Sequence, residues 1–205
     1  MNRKLVALVV TFSGVSMAFS QEAAVAEVQG LKKDFKRQPV PAEVLADAVR
    51  ATQAVGDQTL KGEFDAVVAK LYPRSRKRAA KRLGGNQAVA DKMRERVNEF
   101  AAGGMVITKF VAEPALHGFD IPEFSEWLVF VPTTRTVRRT DPETGLAQFL
   151  EFTDYQVAIR KKEAGSEWSF INGSTLKMSE LRSFFPTLPL EIDYAVPKIG
   201  GRLLE

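Results

Sequence analysis

The chain has 205 residues, of which 45% are hydrophobic and 26% charged, and its formal net charge is +4. These values are typical of a folded globular chain of about one domain and exclude a largely disordered chain or a polytopic membrane protein. With no cysteine and one histidine, His117, the sequence excludes disulfides, thiol nucleophiles and, within one chain, metal sites made of several histidines.

Residues 1–20 predict a secretory signal peptide. Two basic residues, Arg3 and Lys4, precede a short apolar run, and Ala18 and Ser20 are the small residues expected before a cut after Ser20. An uncleaved membrane anchor is the alternative, but the run is shorter than the roughly 20 residues that a bilayer requires. We therefore expect a periplasmic or secreted protein. Loss of Arg3 and Lys4 lowers the net charge from +4 to +2, which is too small to indicate nucleic-acid binding.

Apolar residues recur with helical spacing after a polar stretch over residues 21–40, which we interpret as a flexible leader. The predicted helices cover residues 41–59, 62–72 and 86–103. Pro41 suits the first turn of a helix, whereas Pro73 and the glycine pairs at 84–85 and 103–104 interrupt the pattern.

After residue 104 the pattern changes to the alternation typical of β-strands. The predicted strands cover residues 105–112, 126–139, 146–162 and 167–171, with a loop over 114–122, turns over 141–145 and 163–166, and a short helix over 178–185. Pro132 interrupts the second strand, which indicates an edge position or a bulge. Because two long strands joined by a tight turn must curve over a core, we expect curvature at Pro132 and at Thr153 and Asp154.

Helices followed by a meandering antiparallel sheet predict an α+β fold in which N-terminal helices pack on one face of a curved antiparallel sheet. We expect this domain to span residues 41–190 and a C-terminal tail to span residues 191–205.

Several stretches of the predicted domain resemble the nuclear transport factor 2-like superfamily, and within it an exported bacterial branch. They are residues 61–64 with 71–73, residues 129–134, and residues 167–174 followed by Leu181 and residues 184–189. The resemblance implies a cone-shaped fold with a pocket between the helices and the concave sheet. Relatives use this pocket for ketosteroid isomerisation, polyketide cyclisation, dehydration, or ligand and protein binding. The enzymes among them place an Asp, or an Asp–His pair, inside the cone. The cationic segment between Pro73 and Gly84 departs from the family pattern.

Asp154 and His117 are the candidate catalytic residues. Asp154 precedes Tyr155 in the middle of a predicted strand, so alternation turns one of the two inward. An inward Asp154 in an apolar cone would have a raised pKa and could act as a base. Because the face of Tyr155, Val157 and Ile159 is the more apolar, we expect Tyr155 to point inward and Asp154 to be solvated. His117 lies in the predicted loop, where it could be a base at the mouth of the cone but is more simply a surface residue.

Three aromatic residues, Tyr72, Trp127 and Tyr155, are candidate ligand contacts, with ordinary core packing as the alternative. A separate basic cluster follows Pro73. It consists of Arg74, Arg76, Lys77, Arg78, Lys81 and Arg82. This cluster could bind anionic envelope polymers or lipid head groups, although a solvated helix face is the commoner explanation. No aromatic residue lies among these cations, so the segment lacks the stacking surface of a single-strand nucleic-acid binder.

The lack of a convincing acid/base pair favours an exported, non-catalytic domain that binds a small apolar ligand or an envelope protein. One alternative is an isomerase- or cyclase-like enzyme that uses Asp154 or His117, with Tyr155 or Tyr72 as a hydrogen-bond donor. Another is association with an anionic envelope surface through the basic cluster. We predict no metal and no cofactor. The resemblance also implies that a homodimer could form through an exposed sheet face.

Overall fold

The computed structural model describes residues 40–115, 117–141, 143–188 and 196–204, so the predicted signal peptide over 1–20 and most of the leader lie outside the described residues. The described residues have the predicted α+β architecture, with helices packed on a curved, unclosed antiparallel sheet. The helices are α1 (Ala42–Leu60), α2 (Phe64–Ala69), α3 (Pro73–Leu83), α4 (Asn86–Ala102) and α5 (Met178–Phe184). The strands are β1 (Met105–Ala112), β2 (His117–Ile121), β3 (Glu126–Thr140), β4 (Ala147–Lys161), β5 (Ser169–Asn172) and β6 (Gly200–Leu204). Within these ranges, no helix is both long and apolar enough to cross a membrane.

The basic segment forms a helix of its own, α3. Pro73 is its first residue, where the missing N–H and the restricted φ of proline are compatible with a helix start. Gly84 ends it in the left-handed conformation, with φ of 96°, which glycine adopts without a steric penalty. The predicted second helix is therefore divided from the basic cluster, and all six cations of the cluster lie on α3.

The sheet is built around one long hairpin. β3 and β4 pair without a register break from Glu126 opposite Lys161 to Thr140 opposite Ala147. β1 and β2 both pair with the free side of β3, and β5 and β6 both pair with the free side of β4. Two of these strands correct the sequence-based assignment: β2 lies in the predicted loop over 114–122, and β6 lies in the predicted tail over 191–205.

The prediction that Pro132 marks an edge or a bulge in its strand is wrong, because β3 is central and its register with β4 is continuous. Pro132 lies beside the gap between β1 and β2, where its carbonyl accepts a hydrogen bond from the Glu113 N–H at 2.8 Å. The N–H and C=O of a strand residue point towards the same neighbouring strand. The N–H that proline lacks would therefore point to the place where the pairing of β1 with β3 ends. The register shift is in β1 instead, between Ile107 and Lys109.

Both faces of the sheet carry a buried core: helices that precede the sheet in the chain cover one face, as predicted, and the helix that follows it covers the other. On the face that we call the α1 face, Val129, Val131 and Ala158 pack against Val44 and Ala48 of α1. On the opposite face, which we call the α5 face, strand residues pack against α5 and the segment after it. This second core includes Leu128, Phe130, Tyr155, Val157, Ile159, Leu181, Phe184 and Phe185.

Polar contacts hold α1 over the sheet. The Asp47 carboxylate accepts hydrogen bonds from Trp168 Nε1 at 2.8 Å and from the Arg160 guanidinium of β4. The Trp168 hydrogen bond, assisted by Arg50 and Arg160, holds the pKa of Asp47 below its usual range despite partial burial. One turn and a half further on, Gln53 forms two hydrogen bonds with the backbone of β1. These contacts set the position of α1 on this face of the sheet.

Candidate functional site

A cavity of about 140 Å³ lies between the α1 face of the sheet and the helices α1, α2 and α4. Its helical wall is largely apolar and includes Val55, Leu60, Val67 and Met93. The strand side carries five polar side chains, which we call the polar floor. The polar floor consists of Thr133 and Arg135 from β3, Asp154 and Gln156 from β4, and Asn172 from β5. The cavity therefore has an apolar wall and a polar wall facing each other.

The sheet register brings the polar floor together. Thr133 is directly opposite Asp154, and Gln156 is directly opposite Asn172. Residues that are opposite each other in antiparallel strands point to the same face, so all of these side chains point to the α1 face. On the same face, the apolar residues nearer the start of β3, Val129 and Val131, pack against α1. The cavity begins where this face changes from apolar to polar.

Gly56 brings α1 close to β1 at one end of the cavity. A Cβ atom added to Gly56 would lie within 3.0 Å of the Phe110 ring, a separation that real Cβ atoms essentially never show. Gly56 is buried in the interior of α1, and both it and Phe110 line the cavity. The aromatic ring of Phe110 therefore packs directly on the helix backbone, which only glycine permits at this distance.

Asp154 is buried, with 4% of its surface exposed, and both of its carboxylate oxygens have partners. Oδ1 accepts a hydrogen bond from the Tyr155 N–H at 2.8 Å, and Oδ2 accepts one from Arg135 Nη2 at 3.0 Å. Burial raises the pKa of the Asp154 carboxyl, although the Tyr155 N–H, Arg135 and Ser174 oppose that shift. Asp154 therefore holds Arg135 in position at the cavity.

The expectation that Asp154 is solvated is wrong. Tyr155 does share a buried face with Val157 and Ile159, as the alternation indicates. The opposite face is buried as well, because α1, α2 and α4 cover it. Asp154 and Tyr155 are thus both inward, but in different layers of the domain.

Arg135 lies where the cavity meets a second, larger concavity. This second concavity, which we call the outer groove, has a volume of about 330 Å³ and lies between α4 and the first residues of β1. Arg135 lines both spaces, as do Thr59, Leu60 and Ile107. Within the described ranges, the only side-chain hydrogen bond of Arg135 is the one to Asp154. Because a guanidinium carries five N–H donors, most of the donors of Arg135 remain available to a ligand.

His117 is not brought to the cavity. It is exposed, it is the first residue of β2 rather than part of a loop, and it pairs with Phe130. The residues that line the cavity and the outer groove do not include it. The structure therefore does not assemble the Asp–His pair that the family resemblance allows.

The three aromatic residues proposed as ligand contacts do not line the cavity or the outer groove either. Tyr72 and Tyr155 belong to the core of the α5 face. Burial, together with the nearby Glu126 carboxylate, raises the pKa of Tyr72 to about 12. Trp127 packs beside the α1-face core, with Lys162 Nζ 4.4 Å from the centre of its ring. The alternative interpretation, ordinary core packing, describes these residues.

The basic cluster on α3 is partly used in packing. The Arg74 guanidinium donates to the Phe184 carbonyl at 2.7 Å, and Arg78 forms an ion pair with Glu180 at 3.1 Å. Arg76 donates to a backbone carbonyl at the end of α2. The remaining cations, Lys77, Lys81 and Arg82, are exposed, and no ion pair in the described part of the chain involves them. Binding of α3 to an anionic surface stays a prediction, as does a homodimer.

Four residues of the polar floor were missed by reasoning from the sequence: Thr133, Arg135, Gln156 and Asn172. A signal was present in β4, where Asp154 and Gln156 alternate with Tyr155 and Val157. In β3 no alternation marks Thr133 and Arg135, because Thr134 and Thr136 are polar as well. Alternation alone does not show which residues lie opposite each other, nor that helices cover this face.

Comparison of the chain with models of protein families, with curated proteins and with solved structures found no match. In the part of the chain that the structure describes, no group of three or more His, Asp or Glu side chains is arranged to hold a metal ion. The geometry and charge of the cavity are therefore the evidence for its function.

Proposed function

We propose that the protein is an exported, non-catalytic domain of the nuclear transport factor 2-like type that binds a small amphipathic ligand in the cavity beneath α1. The observation that carries this proposal is the polar floor facing an apolar helical wall across one cavity. Such a lining is typical of ligand sites, where apolar contacts supply most of the affinity and a few polar groups set the orientation. The order of helices and strands and the position of the cavity support the family assignment.

The size of the cavity limits the ligand. Its volume of about 140 Å³ is close to that of an engineered apolar cavity of roughly 150 Å³ that accepts benzene. The part of the ligand inside the cavity is therefore about as large as a six-membered ring. Most N–H donors of Arg135 and the side-chain amide of Gln156 have no hydrogen-bond partner among the described residues, so this part must also carry hydrogen-bonding atoms. An entirely apolar ligand, as the sequence suggested, would leave these groups without partners.

The hydrogen bonds of Asp154 favour binding over catalysis. A general base must present an oxygen to the proton that it removes. Both oxygens of Asp154 already accept hydrogen bonds, from Arg135 and from the Tyr155 N–H. The tyrosines considered as hydrogen-bond donors, Tyr72 and Tyr155, belong to the core of the other face. We therefore assign Asp154 the role of positioning Arg135.

An isomerase- or cyclase-like enzyme is the second candidate function, and one observation favours it. Asp154 is a buried carboxyl that lines a cavity, lies 3.0 Å from another polar group and has a raised pKa. This is the environment in which a carboxylate can remove a proton next to a carbonyl group. Asp154 would be the base, and Arg135 would stabilise the enolate oxygen.

Binding of small ring compounds tests the proposal. We expect phenol and benzyl alcohol to bind the wild-type protein and to shift the backbone NMR signals of Gly56 and Asn172, which line the cavity. Val55→Phe should weaken this binding at least tenfold, because the added ring fills the cavity. Val49→Phe is the matched control, since Val49 is also half-buried on α1 but does not line the cavity. Equal binding by the two variants, or no binding of either compound to the wild type, would contradict the proposal.

Proton exchange distinguishes the two candidate functions. In D2O, we expect cyclohexanone to exchange its α-protons at the background rate in the presence of the protein, because the Asp154 oxygens are engaged. NMR measures this rate directly. An exchange rate well above background that Asp154→Asn abolishes would favour the enzyme instead.

A further inference from the structure

We propose that the ligand of this site is an amphipathic carboxylate, with its carboxylate group bound by Arg135 and its apolar chain lying in the outer groove. This inference rests on the proposed function and adds the chemical class of the ligand. Three observations support it: the available donors of Arg135, the charge of the lining, and the apolar surface of the outer groove.

Arg135 is placed to bind a planar anion. Its guanidinium is held by Asp154 through Nη2, and Asp154 is itself held by the Tyr155 N–H. This arrangement restricts the rotation of the guanidinium while leaving most of its N–H donors without a partner among the described residues. A carboxylate matches two parallel N–H donors of a guanidinium, and such paired hydrogen bonds are stronger than those between neutral groups.

The charge of the lining also favours an anion. Among the residues that the structure describes, two charged side chains line the outer groove, those of Arg96 and Arg135, and both are cations. In the cavity, Asp154 adds one carboxyl, which Arg135 contacts. Arg96 is exposed on α4 and is therefore a second positive charge along the path from solvent to the polar floor. A cationic head group would be repelled by these two residues, and a neutral one would lack the charge-assisted paired hydrogen bonds that a carboxylate forms.

Apolar surface in the outer groove fits a hydrocarbon chain. Leu60, Val97 and Val106 line this groove and remain 41%, 43% and 40% exposed, and Phe100 and Met105 lie beside them. These exposed apolar side chains are contiguous, and they lead directly to the guanidinium of Arg135. A chain attached to a carboxylate on Arg135 would cover them. Each methylene buried there should strengthen binding by roughly fourfold.

The length of the carbon chain of the ligand distinguishes binding in the cavity alone from binding that extends into the outer groove. The cavity alone holds about one ring, so a four-carbon acid fits within it. An eight-carbon acid is too long for the cavity and can gain affinity only if its chain enters the outer groove. Affinity that rises steadily from four to eight carbons is therefore a signature of the groove.

Calorimetric titration of the wild-type protein with butanoate, hexanoate and octanoate tests this inference. We expect affinity to rise roughly 15-fold at each two-carbon step that buries both methylenes in the groove, and octanoate to bind at least tenfold more tightly than octan-1-ol or octylammonium. Arg135→Lys should lower octanoate affinity at least tenfold and leave octan-1-ol binding nearly unchanged, because a lysine cannot form the paired hydrogen bonds. Arg138→Met is its control, since this exposed arginine of β3 lines neither space.

A groove variant tests the chain independently of the head group. Val97→Asn should lower octanoate affinity about fivefold while leaving butanoate affinity unchanged. Leu83→Asn, at an apolar position of similar exposure at the end of α3, should change neither. Equal affinity for octanoate and octan-1-ol, or no dependence on chain length, would overturn this inference while ring binding in the cavity could still stand. If phenol, benzyl alcohol and octanoate all fail to bind, the proposed function fails as well.

Discussion

Gly56→Ala should destabilise the domain by about 1–3 kcal/mol, although alanine is the better helix former. The added methyl group would overlap the Phe110 ring, which packs on the backbone of α1. Movement of the ring into the cavity that both residues line would relieve this overlap and reduce the space there. We therefore also expect weaker binding of phenol. Urea unfolding, followed by circular dichroism, measures the free energy of unfolding of the variant and of the wild type.

The control for Gly56→Ala is the same substitution in a Phe110→Ala background. Without the aromatic ring there is room for the methyl group, so alanine at position 56 should then stabilise the helix by up to about 1 kcal/mol. The change of Gly56→Ala from destabilising to stabilising isolates the contact between the helix and the ring. A Gly56→Ala protein that is more stable than the wild type with Phe110 in place would show that α1 and β1 are not this close.

Arg135→Met should destabilise the domain by roughly 1–3 kcal/mol at pH 7, because it leaves the buried Asp154 carboxylate with one partner fewer. Burial already raises the pKa of Asp154, and loss of the Arg135 charge raises it further. A group whose pKa is higher in the folded state binds its proton more tightly there. Proton binding by Asp154 therefore stabilises the folded state fully at pH values below the unfolded pKa of about 3.9. This stabilisation is lost as the pH rises through the pKa of the folded state.

The destabilisation by Arg135→Met should consequently shrink as the pH falls from 7 towards about 4.5, as measured by urea unfolding at intervals of pH. Arg138→Met provides a control for removing one positive charge from the same strand, and it should change stability little at any of these values. Adding Asp154→Asn to Arg135→Met should restore much of the lost stability at pH 7, because no charge is then buried. If Arg135→Met lowered the free energy of unfolding by the same amount at pH 4.5 as at pH 7, the result would argue against the ion pair between Arg135 and the buried Asp154.

Local patterns predicted most of the elements. The helical segment over 41–59 is α1 at 42–60, and the strands over 126–139 and 146–162 are β3 and β4. In the turn between these strands, the Asp141 carboxylate accepts hydrogen bonds from the N–H groups of Glu143 and Thr144, as expected of an aspartate that begins a turn. Such features were predictable because neighbouring residues determine them.

The two short strands were not predictable in the same way. β2 contains Gly118, and β6 begins with Gly200 and Gly201, so neither segment has a clear alternation of apolar and polar residues. Each forms a strand because it pairs with a long neighbour, β2 with β3 and β6 with β4. Their structure depends on partners that are distant along the chain.

The sequence of this protein determined the α+β order of its elements and the breaks between its helices, and it identified Asp154 as a candidate site residue. Each of these depends on residues close together along the chain. Only the tertiary structure decided that both faces of the sheet are covered, and therefore that Asp154 and Tyr155 are both buried. It also placed Arg135 between the cavity and the outer groove. The physical reason is that alternation along a strand assigns residues to two faces, whereas the helices packed on the sheet determine which face excludes water.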